Sequence, residues 1–152
     1  MNKNESHKHI LNVLPYSKPF LFVDELKDVN DDGVVGTYIY RTESDFYKGH
    51  FKDNPVTPGV ILTETMAQIG VVCLGIHLVR KEKELKKSFQ IAMTSSCVDY
   101  LLPVYPGEKV IVNSKKIYFR FGKLKCEVKM LNARDEVVCK GTISGMMKSG
   151  KA

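Results

Sequence analysis

Residues 58–79, PGVILTETMAQIGVVCLGIHLV, decide the fold. Apolar side chains fall on nearly every face of a helix drawn from Val60 to Val79, and a helix that is apolar all round is buried all round. Thr57 stands where an N-cap is expected, and Pro58 suits the first helical position, where its missing N–H is no loss. Thr63, Glu64, Thr65, Gln68 and His77 interrupt the run, so it reads as a core helix rather than a membrane span. Glu64 is the only acid between Val60 and Val79. An isolated carboxylate is costly to bury unless it is protonated or paired. Desolvation pushes its pKa upward, and two turns into the helix the N-terminal dipole opposes that rise only weakly. Gln68, four residues on, shares its face and is placed to hydrogen-bond it.

Immediately upstream lies GHFKDNPVT, residues 49–57. His50 offers a base, and Pro55 and Pro58 stiffen the connection to the helix. Gly59 places a backbone N–H at a helix start, where such groups lack partners, and its missing side chain lets an oxygen come close. Base, acid and oxyanion-type donor on one short segment form a candidate site. Taken singly, each residue has a plainer reading: Glu64 as the partner of a buried donor or of an interface lysine, His50 as an ordinary surface or core histidine.

Outward from the helix the chain reads as strands. Residues 6–14 suit a short helix capped by Ser6 and ended by Pro15. PFLFVDEL (19–26) and VVGTYIY (34–40) read as strands about a turn at 30–33. A turn at Pro106-Gly107 leads into a strand at 109–119. In KLKCEVKML, Leu124, Cys126, Val128 and Met130 alternate with Lys123, Lys125, Glu127 and Lys129, the period of a strand with one buried face. A turn at Arg134-Asp135 precedes a last strand at 137–147. One buried helix followed by long strands predicts an α+β domain, an antiparallel sheet wrapped around that helix. A single domain over 1–152, with a polar N-terminal tail over about 1–5, is expected from the length.

Composition narrows the function classes. The chain is 43% hydrophobic and 26% charged, as for a globular protein. The polar opening MNKNESHKHI carries no signal-peptide pattern, and a cytoplasmic protein is expected. Cys73, Cys97, Cys126 and Cys139 form no C-x-x-C pair, which argues against zinc and for buried, reduced thiols. No metal is expected: His7 and His9 form an H-x-H pair without nearby ligands and read as solvated, and His77 reads as structural. A net charge of +6 allows an acidic partner. No helix-turn-helix, RNA-binding or zinc-finger signature points to nucleic acid. The basic runs at 80–87 and 109–129 read as solvated faces, and Tyr105, Tyr118, Phe119 and Phe121 as core or interface residues.

The segment GHFKDNPVTPGVILTETMAQ (49–68) resembles the signature of the 3-hydroxyacyl-[acyl-carrier-protein] dehydratases of the FabZ type, in which G-H-F-P-x-x-P-V-M-P-G-V-L leads into a helix with E-x-x-A-Q. The fourteen-residue step from His50 to Glu64 matches. LPYSKPFLFVDEL, LPVYPGEKVIV and VVCKGTI resemble further family segments, so the likeness runs from about Leu14 to Met147. It implies a hot-dog fold, a long central helix wrapped by an antiparallel sheet. It also implies a homodimer, often built into a hexamer (a trimer of dimers), with His50 of one subunit facing Glu64 of the other. The implied reaction is syn elimination of water from a 3-hydroxyacyl thioester, within fatty-acid or related lipid or polyene biosynthesis. His50 removes the C2 proton, Glu64 assists loss of the hydroxyl, and the Gly59 N–H polarises the thioester carbonyl; Phe51, Pro58 and Gln68 support them. No cofactor is implied, and the partner is an acyl carrier protein bearing its acyl chain on phosphopantetheine.

The sequence departs from that pattern at Lys52, Thr57, Tyr16-Ser17, Leu101-Leu102 and Asp99. None of these is His50, Gly59 or Glu64, but they bear on carrier docking and on the shape of the acyl tunnel. Two rivals remain: a hot-dog acyl thioesterase, which lacks the G-H-F…P-G-V arrangement, and a non-catalytic carrier-binding subunit, which is expected to lose the histidine or the acid. Glu64 itself leans away from the isomerising FabA-type branch, where aspartate is common.

Overall fold

A computed structural model describes residues 2–82 and 89–149. In chain order it comprises α1 (Lys3–Val13), β1 (Glu25–Asn30), β2 (Gly33–Ile39), a short 3-10 turn (Asp45–Lys48), α2 (Gly59–Ala67), a π-helical segment (Gln68–Cys73), α3 (Leu74–Glu82), β3 (Phe89–Tyr100), β4 (Lys109–Arg120), β5 (Lys123–Leu131) and β6 (Val137–Ser149). The six strands form one antiparallel sheet in the order β1-β2-β4-β5-β6-β3. It packs against the continuous helical stretch from α2 to α3, the hot-dog arrangement expected from the sequence.

The alternation in β5 translates directly into packing: Leu124, Cys126, Val128 and Met130 are each at most 1% exposed. They meet the central helix, where Met66, Ile69, Cys73, Leu74 and Ile76 are fully buried. The helix lies close to the sheet because Gly70 has no side chain. A Cβ there would sit 3.0 Å from Val128 Cγ1 and 3.1 Å from Ser114 Cβ. The Ser114 hydroxyl donates to the Gly70 carbonyl at 2.8 Å, inside the π-helical segment. By length and hydropathy alone, Gly59–Arg80 could cross a membrane; 72% of that window is buried within the protein, which makes it the core helix.

Several local expectations change. Asn2, not Ser6, caps α1, through a capping box with Glu5 (2.9 and 3.0 Å), so residues 3–5 are helical. Thr57 does not cap α2: its hydroxyl pairs with Tyr47 Oη at 2.7 Å, and Pro58 takes the cap position. Residues 19–23 are apolar because Phe22 and Val23 enter the core, while regular β1 pairing begins only at Glu25. His7 is buried, with Nε2 unpartnered, rather than solvated. Cys97 is exposed, whereas Cys73, Cys126 and Cys139 are buried free thiols. Phe121, at the β4–β5 turn, is 97% exposed and not a core residue. His77 is structural, its Nε2 3.0 Å from Asp31 Oδ1. Of the charged run at 80–87, residues 83–87 lie outside the described residues.

Candidate active site

His50 is fixed by the loop that carries it. Its N–H donates to the Phe46 carbonyl at 3.0 Å, its carbonyl accepts from Val56 N at 2.9 Å, and ring Nδ1 lies 2.8 Å from the Val56 carbonyl. A carbonyl only accepts, so the neutral ring carries its proton on Nδ1 and presents an unprotonated Nε2. Phe51 stacks on the imidazole, centroids 4.1 Å apart, while remaining 56% exposed itself. One face of the ring is thereby covered, and His50 itself is half-buried.

Glu64 sits on the inner turn of α2. Gln68, fully buried, donates Nε2 to Glu64 Oε1 at 3.0 Å and to the Phe20 carbonyl at 3.1 Å, and its Oε1 accepts the Phe22 N–H at 2.8 Å. Burial raises the Glu64 pKa, and the Gln68 hydrogen bond partly offsets the rise. With Oε1 engaged as an acceptor, the proton of the neutral acid belongs on Oε2. The carboxyl faces a cavity of about 230 Å³, lined also by Tyr16, Ala67, Val71, Ile91 and Ile143. Burial, with the Glu64 carboxylate next, pushes the Tyr16 phenol up to about 12.

Gly59 is the first residue of α2, and its N–H has no acceptor among the described residues. Tyr100, from β3, lies over it: a Cβ on Gly59 would be 3.2 Å from Tyr100 Cε1. The Tyr100 hydroxyl hydrogen-bonds Thr63, which ties the end of β3 to the first turns of α2. Pro58, as N-cap, directs the chain into this turn.

The sequence-derived residues therefore form two groups. Glu64 lines the cavity with Tyr16, while Gln68 is buried outside its lining and reaches it through the Glu64 carboxyl; His50, Phe51 and Val56 form a separate cluster, and His50 does not line that cavity. Tyr16 and Tyr100 enter the site region without having been singled out as members of it. Tyr16 had one signal, its departure from the His-Arg of the family pattern. Tyr100 had none, because its strand shows no alternation. Chemically, the arrangement holds an acid kept protonatable by burial, a histidine nitrogen with a free lone pair, and an unengaged backbone donor at a helix start. Among the described residues no group of three or more His, Cys, Asp or Glu is placed to hold a metal.

Comparison with known proteins identifies the family of the chain. The chain belongs to the FabA-like family, whose domain matches residues 14–144. It is 33% identical over 137 residues to the 3-hydroxyacyl-[acyl-carrier-protein] dehydratase FabZ of Caldicellulosiruptor bescii, covering 88% of this chain and 92% of that one. The FabZ of Anaplasma marginale is 31% identical over 144 residues, covering 93% and 95%. The chain also matches the bifunctional LpxC/FabZ of Chlorobaculum tepidum at 28% identity, but spans only 30% of that longer protein. In fold it resembles the dehydratase heterocomplex ApeI:P of Xenorhabdus doucetiae, with a TM-score of 0.74 at 13% identity over 91% of this chain and 90% of that one. A hypothetical thioesterase of Streptococcus pneumoniae solved with coenzyme A gives a TM-score of 0.58 at 14% identity, over 84% and 88%. The likeness to these two solved structures is one of fold alone.

Proposed function

We propose that this protein dehydrates 3-hydroxyacyl-[acyl-carrier-protein] to the trans-2-enoyl thioester in fatty-acid or related lipid synthesis. The observation that carries the reading is the opposite preparation of two groups: burial keeps Glu64 protonatable, while the Val56 carbonyl leaves His50 Nε2 able to accept a proton. His50 Nε2 takes the C2 proton and the C–H pair becomes the new double bond. Glu64 gives its proton to the departing 3-hydroxyl, which leaves as water. The imidazolium proton then returns to Glu64 through solvent before the next turnover. The Gly59 N–H accommodates charge that builds on the thioester oxygen, and needs no reorganisation because nothing else holds it.

The separation of His50 from the Glu64 cavity within one chain supports a site shared between two copies in a homodimer. β3 supports the same assembly, since it pairs with β6 on one side only and Ala92 to Cys97 are exposed. Such an unpaired strand edge is a template for pairing with another chain. The substrate's carrier is an acyl carrier protein, and the net charge of +6 suits an acidic partner.

A thioesterase reading has the S. pneumoniae fold neighbour on its side. It needs the helix carboxylate as a base, whereas burial at Glu64 favours the protonated form. The test is interconversion of crotonyl and 3-hydroxybutyryl carrier thioesters by wild type, His50→Ala and Glu64→Gln. Hydration and dehydration lost in both variants support the proposal, and release of free thiol by wild type overturns it.

A further inference from the structure

The cavity at Glu64 has a neighbour. A second depression of about 440 Å³ is lined by Pro15, Tyr16, Gln90, Ile91, Ala92 and Met146. Tyr16 and Ile91 line both spaces. The two hollows therefore adjoin, and Tyr16, from the loop after α1, and Ile91, from the edge strand, stand where they meet. By itself the Glu64 cavity, at about 230 Å³, is smaller than the roughly 300–1,000 Å³ usual for small-molecule sites. Joined to its neighbour it would fall within that range.

Tyr16 is held as a wall should be. Its ring packs at 6.5 Å from Phe20, Phe20 at 5.1 Å from Phe22, and Phe22 at 5.6 Å from Tyr38. This row of aromatics runs into the core, where Phe22 is 2% exposed. Gln68 holds the same segment through the Phe20 carbonyl and the Phe22 N–H. The residue that orients Glu64 thus also fixes the loop that carries Tyr16.

We propose that Tyr16, with Ile91 at the same junction, is the specificity-determining partition of the acyl site: it closes the Glu64 cavity behind a short acyl chain and keeps longer chains out of the adjoining trough. The occupant of the trough, once opened, is the distal methylene run of a longer acyl thioester, because the trough continues the Glu64 cavity through shared walls and its lining is mostly apolar. This inference rests on the acyl-thioester reading of the Glu64 site. It assigns Tyr16 no part in the chemistry.

The experiment compares wild type, Tyr16→Ala, Tyr16→Phe and Ile91→Ala in two assays. The first is kcat/KM for hydration of enoyl thioesters from crotonyl to dodecenoyl. The second is calorimetric binding of saturated acyl-pantetheine from butyryl to dodecanoyl, which needs no turnover. The expected result is that Tyr16→Ala and Ile91→Ala each raise the long-to-short ratio by about tenfold or more in both assays, since one methylene accommodated or refused changes preference on that scale. Tyr16→Phe, which keeps the wall, is expected to keep the wild-type ratio. Unchanged ratios in the opened variants overturn the partition, as does an equal shift in Tyr16→Phe. If Tyr16→Ala does not fold, Ile91→Ala decides. A shifted binding ratio with no turnover by wild type would overturn the dehydratase reading while upholding the partition.

Discussion

Gln68 and Glu64 are joined by a 3.0 Å hydrogen bond on consecutive turns of the central helix, and the amide that makes it is fully buried. The same amide accepts the Phe22 N–H and donates to the Phe20 carbonyl. Replacing it with leucine of similar volume would strand both backbone groups away from water. Gln68→Leu is therefore expected to cost about 2 kcal/mol of stability, read as a lower denaturant midpoint. It also removes the one influence that lowers the Glu64 pKa. The alkaline limb of the pH–rate profile should consequently move to higher pH, and a limb that moves down or stays would refute the coupling.

The raised pKa of Glu64 has a sign that stability can report. In the folded protein the carboxyl holds its proton to higher pH than in the unfolded chain. Between those two values the folded state binds more protons, so stability falls as pH rises through that window and levels off above it. Comparing chemical denaturation of wild type and Glu64→Gln across the window should show the slope in the first and its loss in the second. Activity should fall over the same rise in pH, because the neutral acid is the reactive form.

Subunit mixing tests whether the site is shared. His50→Ala and Glu64→Gln are each expected to lower turnover by about 10²–10⁴-fold. If each site takes His50 from one copy and Glu64 from the other, a mixed dimer contains one intact pair. Unfolding and refolding the two variants together at equal ratio should then restore about a quarter of wild-type activity, since half the dimers are mixed and each has one working site. No recovery, with mixed dimers demonstrated by mass, would place both groups within one chain's own site.

Gly59→Ala separates backbone chemistry from stability. The added methyl lies 3.2 Å from the edge of Tyr100, so the ring must yield by a few tenths of an ångström. Alanine is the better helix former by about 1 kcal/mol, which offsets that strain. The melting temperature is expected to change little, while kcat falls by about 10–100-fold as the methyl keeps the thioester oxygen from the N–H. A variant that melts early with kcat intact would remove Gly59 from the proposed chemistry.

How far the sequence could be read depends on which forces wrote the pattern. β5 was legible because one face is buried at every second residue, from Leu124 to Met130. β3, at FQIAMTSSCVDY, was not: as an edge strand exposed across Ala92 to Cys97 it shows no alternation to detect. The central helix was visible from its apolar content, but its start was misassigned because the Thr57 hydroxyl is claimed by Tyr47, a partner ten residues back. Within the site, the Glu64–Gln68 pair follows from helical spacing alone. The place of Tyr16 does not, because its neighbours Glu64, Ile91 and Met146 come from remote parts of the chain.

The π-helical segment at Gln68–Cys73 adds a phase offset between the two halves of the central helix. Upstream, Glu64 addresses its cavity; downstream, His77 reaches Asp31 beside β2. The two halves keep separate angular alignments, and the segment absorbs the difference. Removing a single residue there would leave the helix almost as long and as apolar as before. A π turn carries more residues per revolution than the 3.6 of an α-helix, so that deletion would let the segment relax to regular α-helix with both alignments nearly kept. With α3 anchored by its buried residues and by His77, one residue added there would instead carry the acid off its cavity, a change that no measure of composition would register.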